Sequence, residues 1–242
     1  QAGPAQFYEV IPHHIMVLGF GGVFGWSLLV LWVGGWRFWR HADEHPVALT
    51  HAGGWIDALR DIATLRNLHA HGTDCTDRGE EQRSPWRRRF HHATFYGFLF
   101  CFASTSVAAF YHLVLGWEAP YGYTSAPVVL GTIGGLGLVL GPTGLLWQRM
   151  RRDPALMDPG QRGLDAGFGV LLLTTSLTGL LLLVGRETRM MPALLAVHLG
   201  TVLALFVTLP YSKFVHGVYR SLALLKHALE NRRPEPHVGS ES

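Results

Sequence analysis

The sequence predicts an all-α protein, a polytopic membrane helix bundle with five transmembrane helices in this chain, and three observations carry that reading. Only 15% of the 242 residues are charged while 48% are hydrophobic, whereas a soluble domain carries about 25% charged residues. Five windows of roughly twenty residues contain no Asp, Glu, Lys or Arg, the length a helix needs to cross the hydrocarbon core. Arginine and lysine are crowded into alternate connections between those windows, as the positive-inside rule describes.

In order, the windows are 11–36, 93–116, 120–146, 166–185 and 190–212. The segment 37–92 between the first two is long and polar and holds nine Arg; 147–165 holds four, and the chain from Lys213 onward has five Lys or Arg. The opposite connections carry only Arg186 and Arg189. The bias predicts an N-terminus outside, a cytoplasmic C-terminus and a last helix running inward. The division expected is 1–36 as outer segment and first helix, 37–92 as basic cytoplasmic loop, 93–220 as a four-helix membrane bundle and 221–242 as a cytoplasmic tail. Within the loop, WIDALRDIATLRNL sets Trp55, Ile56, Leu59, Ile62 and Leu65 on one face, an amphipathic helix suited to a membrane surface, a soluble partner or simple packing on the loops. Gln1 follows no basic n-region or cleavage motif and is read as a cut end.

The remaining composition is mostly exclusion. Cys75 and Cys101 are too few for a disulfide framework, and the net charge of +3 is not gathered into a nucleic-acid patch. No nucleophile triad, phosphate loop or dinucleotide fingerprint is present. Glycines repeat at four-residue spacing, Gly21 with Gly25, Gly131 with Gly135 and Gly137 with Gly141. Such pairs let helices approach closely, and that explains them better than a cofactor cradle does.

Histidine is what stands out. No window contains a carboxylate or a basic side chain, so imidazole is the main titratable group at membrane depth, and ionisable groups there generally mark function. His198 and His216 lie eighteen residues apart. On one uninterrupted helix that is five turns and about 27 Å, the same face at opposite membrane surfaces. His91 and His92 lie just before the second window and His112 near its end. Two antiparallel helices would then each offer an imidazole near either surface, the pattern that holds two stacked haems b by paired axial histidines. His91 falls about 60° from His112 around the helix and His92 nearly opposite it, which favours His91 as the inner ligand and leaves His92 as the alternative. The expected pairs are His91 or His92 with His216, and His112 with His198. His13, beside His14 and Tyr8, is a candidate for lining a quinone pocket or for ligating the outer haem. Two other readings stand beside this one: a transporter whose histidines bind cargo, which lacks the acidic lining such paths use, and a haem-free membrane anchor for a redox partner.

The stretches RRRFHHATFYGFLFCFASTSVAAFYHLVLGWEAPY, GPTGLLWQRMRRDP, TSLTGLLLLVGRET and AVHLGTVLALFVTLPYSKFVHGVYRSLALL closely resemble the membrane domain of the tricarballylate/citrate utilization protein B family. The eighteen-residue histidine spacing is also similar to that of the gamma subunit of respiratory nitrate reductase, a two-haem quinol-handling protein. The resemblance implies an electron carrier in the bacterial inner membrane, taking electrons from a flavoprotein dehydrogenase of tricarballylate or citrate metabolism to quinone. It also implies an N-terminal ferredoxin-like region with two [4Fe–4S] clusters, expected upstream of Gln1 because two cysteines cannot hold them. A relative in cobalamin biosynthesis leaves the partner's substrate open.

Overall fold

A computed structural model describes residues 12–42, 52–65, 85–151 and 159–232. Among them are seven α-helices and one 3-10 turn, with no strand. The helices are α1 (His13–Ala42), α2 (Ala52–Thr64), α3 (Pro85–Leu115), α4 (Ala126–Met150), α5 (Pro159–Gly185), α6 (Met191–Thr208) and α7 (Lys213–Glu230), with the turn at Leu209–Tyr211 before α7. Five are long and apolar enough to cross a membrane, over His14–His41, Trp86–Leu113, Ala126–Met150, Ala166–Gly185 and Met191–Tyr211. These are the five expected from charge-free windows. Their ends differ because helices continue into polar sequence: α3 starts at Pro85, a first-turn residue whose missing N–H costs nothing there. It stops before Gly116, whose φ of +68° suits the left-handed position just past a helix end.

The chain forms two compact units, one of residues 1–27 and 73–213, the other of 28–72 and 214–242. α1 contributes its first half to one and its second half to the other.

In the first unit α3 packs on α4, α4 on α5 and α5 on α6. The α3–α4 contact is a seam of glycines. A Cβ on Gly134 would lie 2.7 Å from the Cys101 backbone nitrogen and 2.8 Å from the Gly97 carbonyl oxygen. One on Gly137 would lie 3.0 Å from the Ala93 carbonyl oxygen, and Gly141 abuts Thr94 and the Phe90 carbonyl. Gly135 faces the other way, toward Leu180 of α5. Close packing is therefore what the α4 glycines do. Gly21 and Gly25 of α1 meet no atom within 4 Å, so the same motif there carries no contact. Leu138, Leu172 and Leu205 form the buried core between α4, α5 and α6, while Phe24 of α1 packs on Phe102 of α3 and Phe206 of α6.

One expectation is corrected. The helix holding His198 does not run on to His216. α6 ends at Thr208, the 3-10 turn Leu209–Tyr211 contains Pro210, and Ser212 is extended at φ −96°, ψ −179°. Proline has no N–H to bond the carbonyl four residues back and its ring clashes with it. That carbonyl belongs to Phe206, and Ser27 of α1, 1% exposed, donates its hydroxyl to it at 2.7 Å. The five-turn register between the two histidines is therefore lost.

In the second unit α7 is an amphipathic helix that takes in residues on either side of the 220/221 boundary drawn from the sequence. Tyr219 stacks on Phe38 of α1, and Leu225, Ala228 and Leu229 bury Ala58 of α2 with Trp39 alongside. Arg232 closes the pair with bonds of 2.8 and 2.6 Å to Asp57. α2 is amphipathic as expected but turns its small side inward: Gly54 and Ala58 are buried, whereas Trp55, Ile56 and Leu59 are exposed.

Candidate cofactor-binding site

His198 is half-buried on α6 and faces α5. Its ring lies over Gly179, where a Cβ would stand 2.9 Å from Cε1; the missing side chain is what admits the imidazole. Nδ1 is 3.1 Å from Thr178 Oγ1. That hydroxyl lies 2.9 Å from the Thr174 carbonyl and 3.0 Å from the Thr175 carbonyl. It has one proton, and a carbonyl only accepts, so the proton goes to the backbone. With the proton so placed the oxygen offers a lone pair toward His198, the contact that suits the tautomer with hydrogen on Nδ1. The neutral ring then has its own lone pair on Nε2, the atom free to bind a metal. Thr201 completes the cluster, donating to the His198 carbonyl at 2.8 Å with its oxygen 3.2 Å from Thr178 Oγ1. Second-group hydrogen bonds of this kind fix ring orientation at metal sites.

The other histidines are placed as follows. His112 is half-buried near the end of α3, a helix that is not one of the packed neighbours of α6. His91 and His92 are half-buried near the start of α3; His92 Nδ1 is 3.0 Å from the Arg88 carbonyl, and its ring stacks on Tyr96. His216 is exposed on α7, in the other unit. His13 opens α1, but its side chain, like Tyr8 and Cys75, lies outside the described residues. Among the described residues no three His, Cys, Asp or Glu side chains gather as a metal cluster; an iron already held in a porphyrin needs only two axial ligands.

At the end of the unit where His198 and His112 lie, the 116–125 and 186–190 connections are tied together. Arg186 donates to the Tyr121 carbonyl at 2.6 Å, and its guanidinium sits 3.6 Å over the Tyr123 ring. The Tyr123 hydroxyl reaches Glu187 at 3.2 Å. The Tyr121 hydroxyl, with one proton, lies 3.1 Å from the Ala108 carbonyl and 3.2 Å from the Trp117 carbonyl. Burial, with the Tyr111 phenol as a lesser cause, pushes the Tyr121 phenol above its ordinary value. Thr178, Thr201 and Gly179 were not singled out from sequence. The available signal was the short connection at 186–190, which makes α5 and α6 a hairpin and sets residues equidistant from it side by side.

A family model described as citrate utilization protein B matches residues 1–237. The chain belongs to the citrate utilization protein B family. A curated citrate utilization protein B from Escherichia coli is 49% identical over 229 residues, 94% of this chain. The chain spans 59% of that relative's length. No solved structure matches the chain. What sets this member of the citrate utilization protein B family before us chemically is therefore the hydroxyl-held imidazole of α6.

Proposed function

We propose that this chain is the haem b-holding membrane part of an electron carrier. In this reading it passes electrons from a flavoprotein dehydrogenase of tricarballylate or citrate metabolism to quinone. The single observation that carries it is the setting of His198: an imidazole in a span whose Nδ1 lies 3.1 Å from a Thr178 hydroxyl already bonded to backbone carbonyls, the contact that suits an Nδ1–H tautomer with its lone pair on Nε2. That donor set fits an axial ligand. When bound, haem iron supplies one-electron chemistry, with both axial positions filled by protein. His198 offers Nε2, Thr178 holds its ring, and His112 is the proposed second ligand. A second haem rests on the sequence pattern alone, through His216 and one of His91 and His92. His13 is proposed to line a quinone site.

The arginine distribution supports an outside N-terminus and a cytoplasmic C-terminus in a bacterial inner membrane. The family's name and that of its relative supply the link to citrate metabolism. Any [4Fe–4S] clusters would belong to a part of the protein beyond this chain.

A reduced-minus-oxidised visible spectrum of the purified chain, with haem counted per chain, tests the proposal. The expected result is b-type bands with two redox transitions, one lost in His198→Ala and the other in His216→Ala. A folded, colourless protein would overturn it and leave the anchor or transporter readings. Loss of neither transition would overturn the ligand assignment.

A further inference from the structure

The end of α1 carries a feature that electron transfer does not use. Leu29, Val33 and Trp36 are 50%, 38% and 50% exposed, and their spacing of four and three residues stacks them on one face of the helix. The next turn of that face changes character to Arg37, Arg40 and His41, all exposed. Two adjoining shallow, open depressions of about 330 and 380 Å³ sit there, sharing Arg37 and His41, with Trp36 and Arg40 in one and Tyr219 in the other. Gly34 keeps the second depression open beside the Tyr219 hydroxyl, 2.9 Å from where a Cβ would stand.

The polar groups are set rather than loose. The Arg40 guanidinium lies 4.8 Å over the Trp36 ring. His41 Nδ1 donates to the Arg37 carbonyl at 2.7 Å, which fixes the imidazole plane. Among the described residues neither Arg37 nor Arg40 has an acidic partner. Two cations with no acidic partner among the described residues, an indole and a fixed imidazole therefore lie together at the boundary of a helix apolar enough to span a bilayer.

From this arrangement we infer that the end of α1 is a binding site for one anionic phospholipid. The headgroup phosphate sits between Arg37 and Arg40, and an acyl chain lies along Trp36, Val33 and Leu29. A free phosphate would find the same cations but would have no use for the apolar strip below them. Arginine forks suit phosphate oxygens, and tryptophan belongs at the depth of the headgroups.

The test uses the full chain in lipid nanodiscs of phosphatidylcholine containing a minor fraction of brominated phosphatidylglycerol or, in parallel, brominated phosphatidylcholine. Quenching of tryptophan fluorescence is read as the difference between the parent and Trp36→Phe, which isolates Trp36 from the other tryptophans. Phosphatidylglycerol should be preferred roughly tenfold or more, the effect two cations have at a membrane surface. Arg37→Gln with Arg40→Gln should abolish the preference, and Arg60→Gln on the exposed side of α2 should leave it. Equal quenching by both lipids would overturn the site. So would an Arg60→Gln effect as large as that of the pair, which would mean general attraction. Displacement by inorganic phosphate would assign the cations to a soluble anion instead and overturn the lipid.

Discussion

Replacing one glycine by alanine should change stability in opposite directions at Gly134 and at Gly25. At Gly134 the added Cβ would meet the Cys101 nitrogen at 2.7 Å, Cys101 Sγ at 2.8 Å and the Gly97 oxygen at 2.8 Å. Two of those atoms are backbone and cannot rotate away. Restoring ordinary contact requires α3 and α4 to part by about 0.6 Å, and a gap of that size forfeits roughly a quarter of the dispersion attraction of every neighbouring contact along the seam. Overpacking of this kind costs about 1–3 kcal/mol. At Gly25 nothing lies within 4 Å, so the methyl meets no obstacle and the helix gains about 0.5–1 kcal/mol of propensity. In a chain of this size 1 kcal/mol moves a thermal midpoint by roughly 2–4 °C. Thermal unfolding in mild detergent should place Gly134→Ala several degrees below the parent and Gly25→Ala slightly above it. A Gly134→Ala protein that melts with the parent would refute the seam, and a Gly25→Ala protein that falls as far would refute the claim that α1 is unpacked there.

Ser27→Ala should lower stability by about 1–3 kcal/mol, the cost of leaving the half-buried Phe206 carbonyl without that donor, while Ser27→Thr should recover most of it in the same melts. Thr178→Val removes the hydroxyl beside His198 Nδ1; ¹⁵N shifts of His198 should move toward a mixture of tautomers and, under the proposed haem ligation, haem affinity should drop about 10–100-fold, with Thr178→Ser behaving like the parent. The raised phenol of Tyr121 binds its proton more tightly folded than unfolded, so its contribution is whole below the ordinary tyrosine value and is lost as pH rises through the folded one. An alkaline stability titration should fall less steeply in Tyr121→Phe, and an identical slope would count against the assignment.

The spans were legible because the absence of charge over twenty residues is a one-dimensional property. Packing partners are not. GxxxG reads alike in α1 and α4, yet Gly131, Gly134, Gly137, Gly141 and Gly144 of α4 meet α3 while Gly21 and Gly25 of α1 meet no atom within 4 Å, since a motif supplies a small face without saying what will fill it. The break between α6 and α7 was hidden because apolar residues run through it; only Pro210 marked it, and reading helix on both sides made His198 and His216 share a register they lack. In α2 the large residues drew attention, whereas Gly54 and Ala58 face α7, the side where close approach to Leu229 needs small groups. His198 was found from sequence as the rare imidazole in a greasy run. Thr178 was not, because its role depends on two helices lying side by side.

The serine of α1 that completes the end of α6 has a bearing on assembly. A peptide oxygen left naked in hydrocarbon is costly, and the hydroxyl that satisfies Phe206 comes from 179 positions earlier in the chain. The last turn of α6 is thus finished only when α1 arrives beside it. Insertion of the individual helices can proceed separately, but α1, the first of the described helices, also clasps the last of the described spans through Ser27.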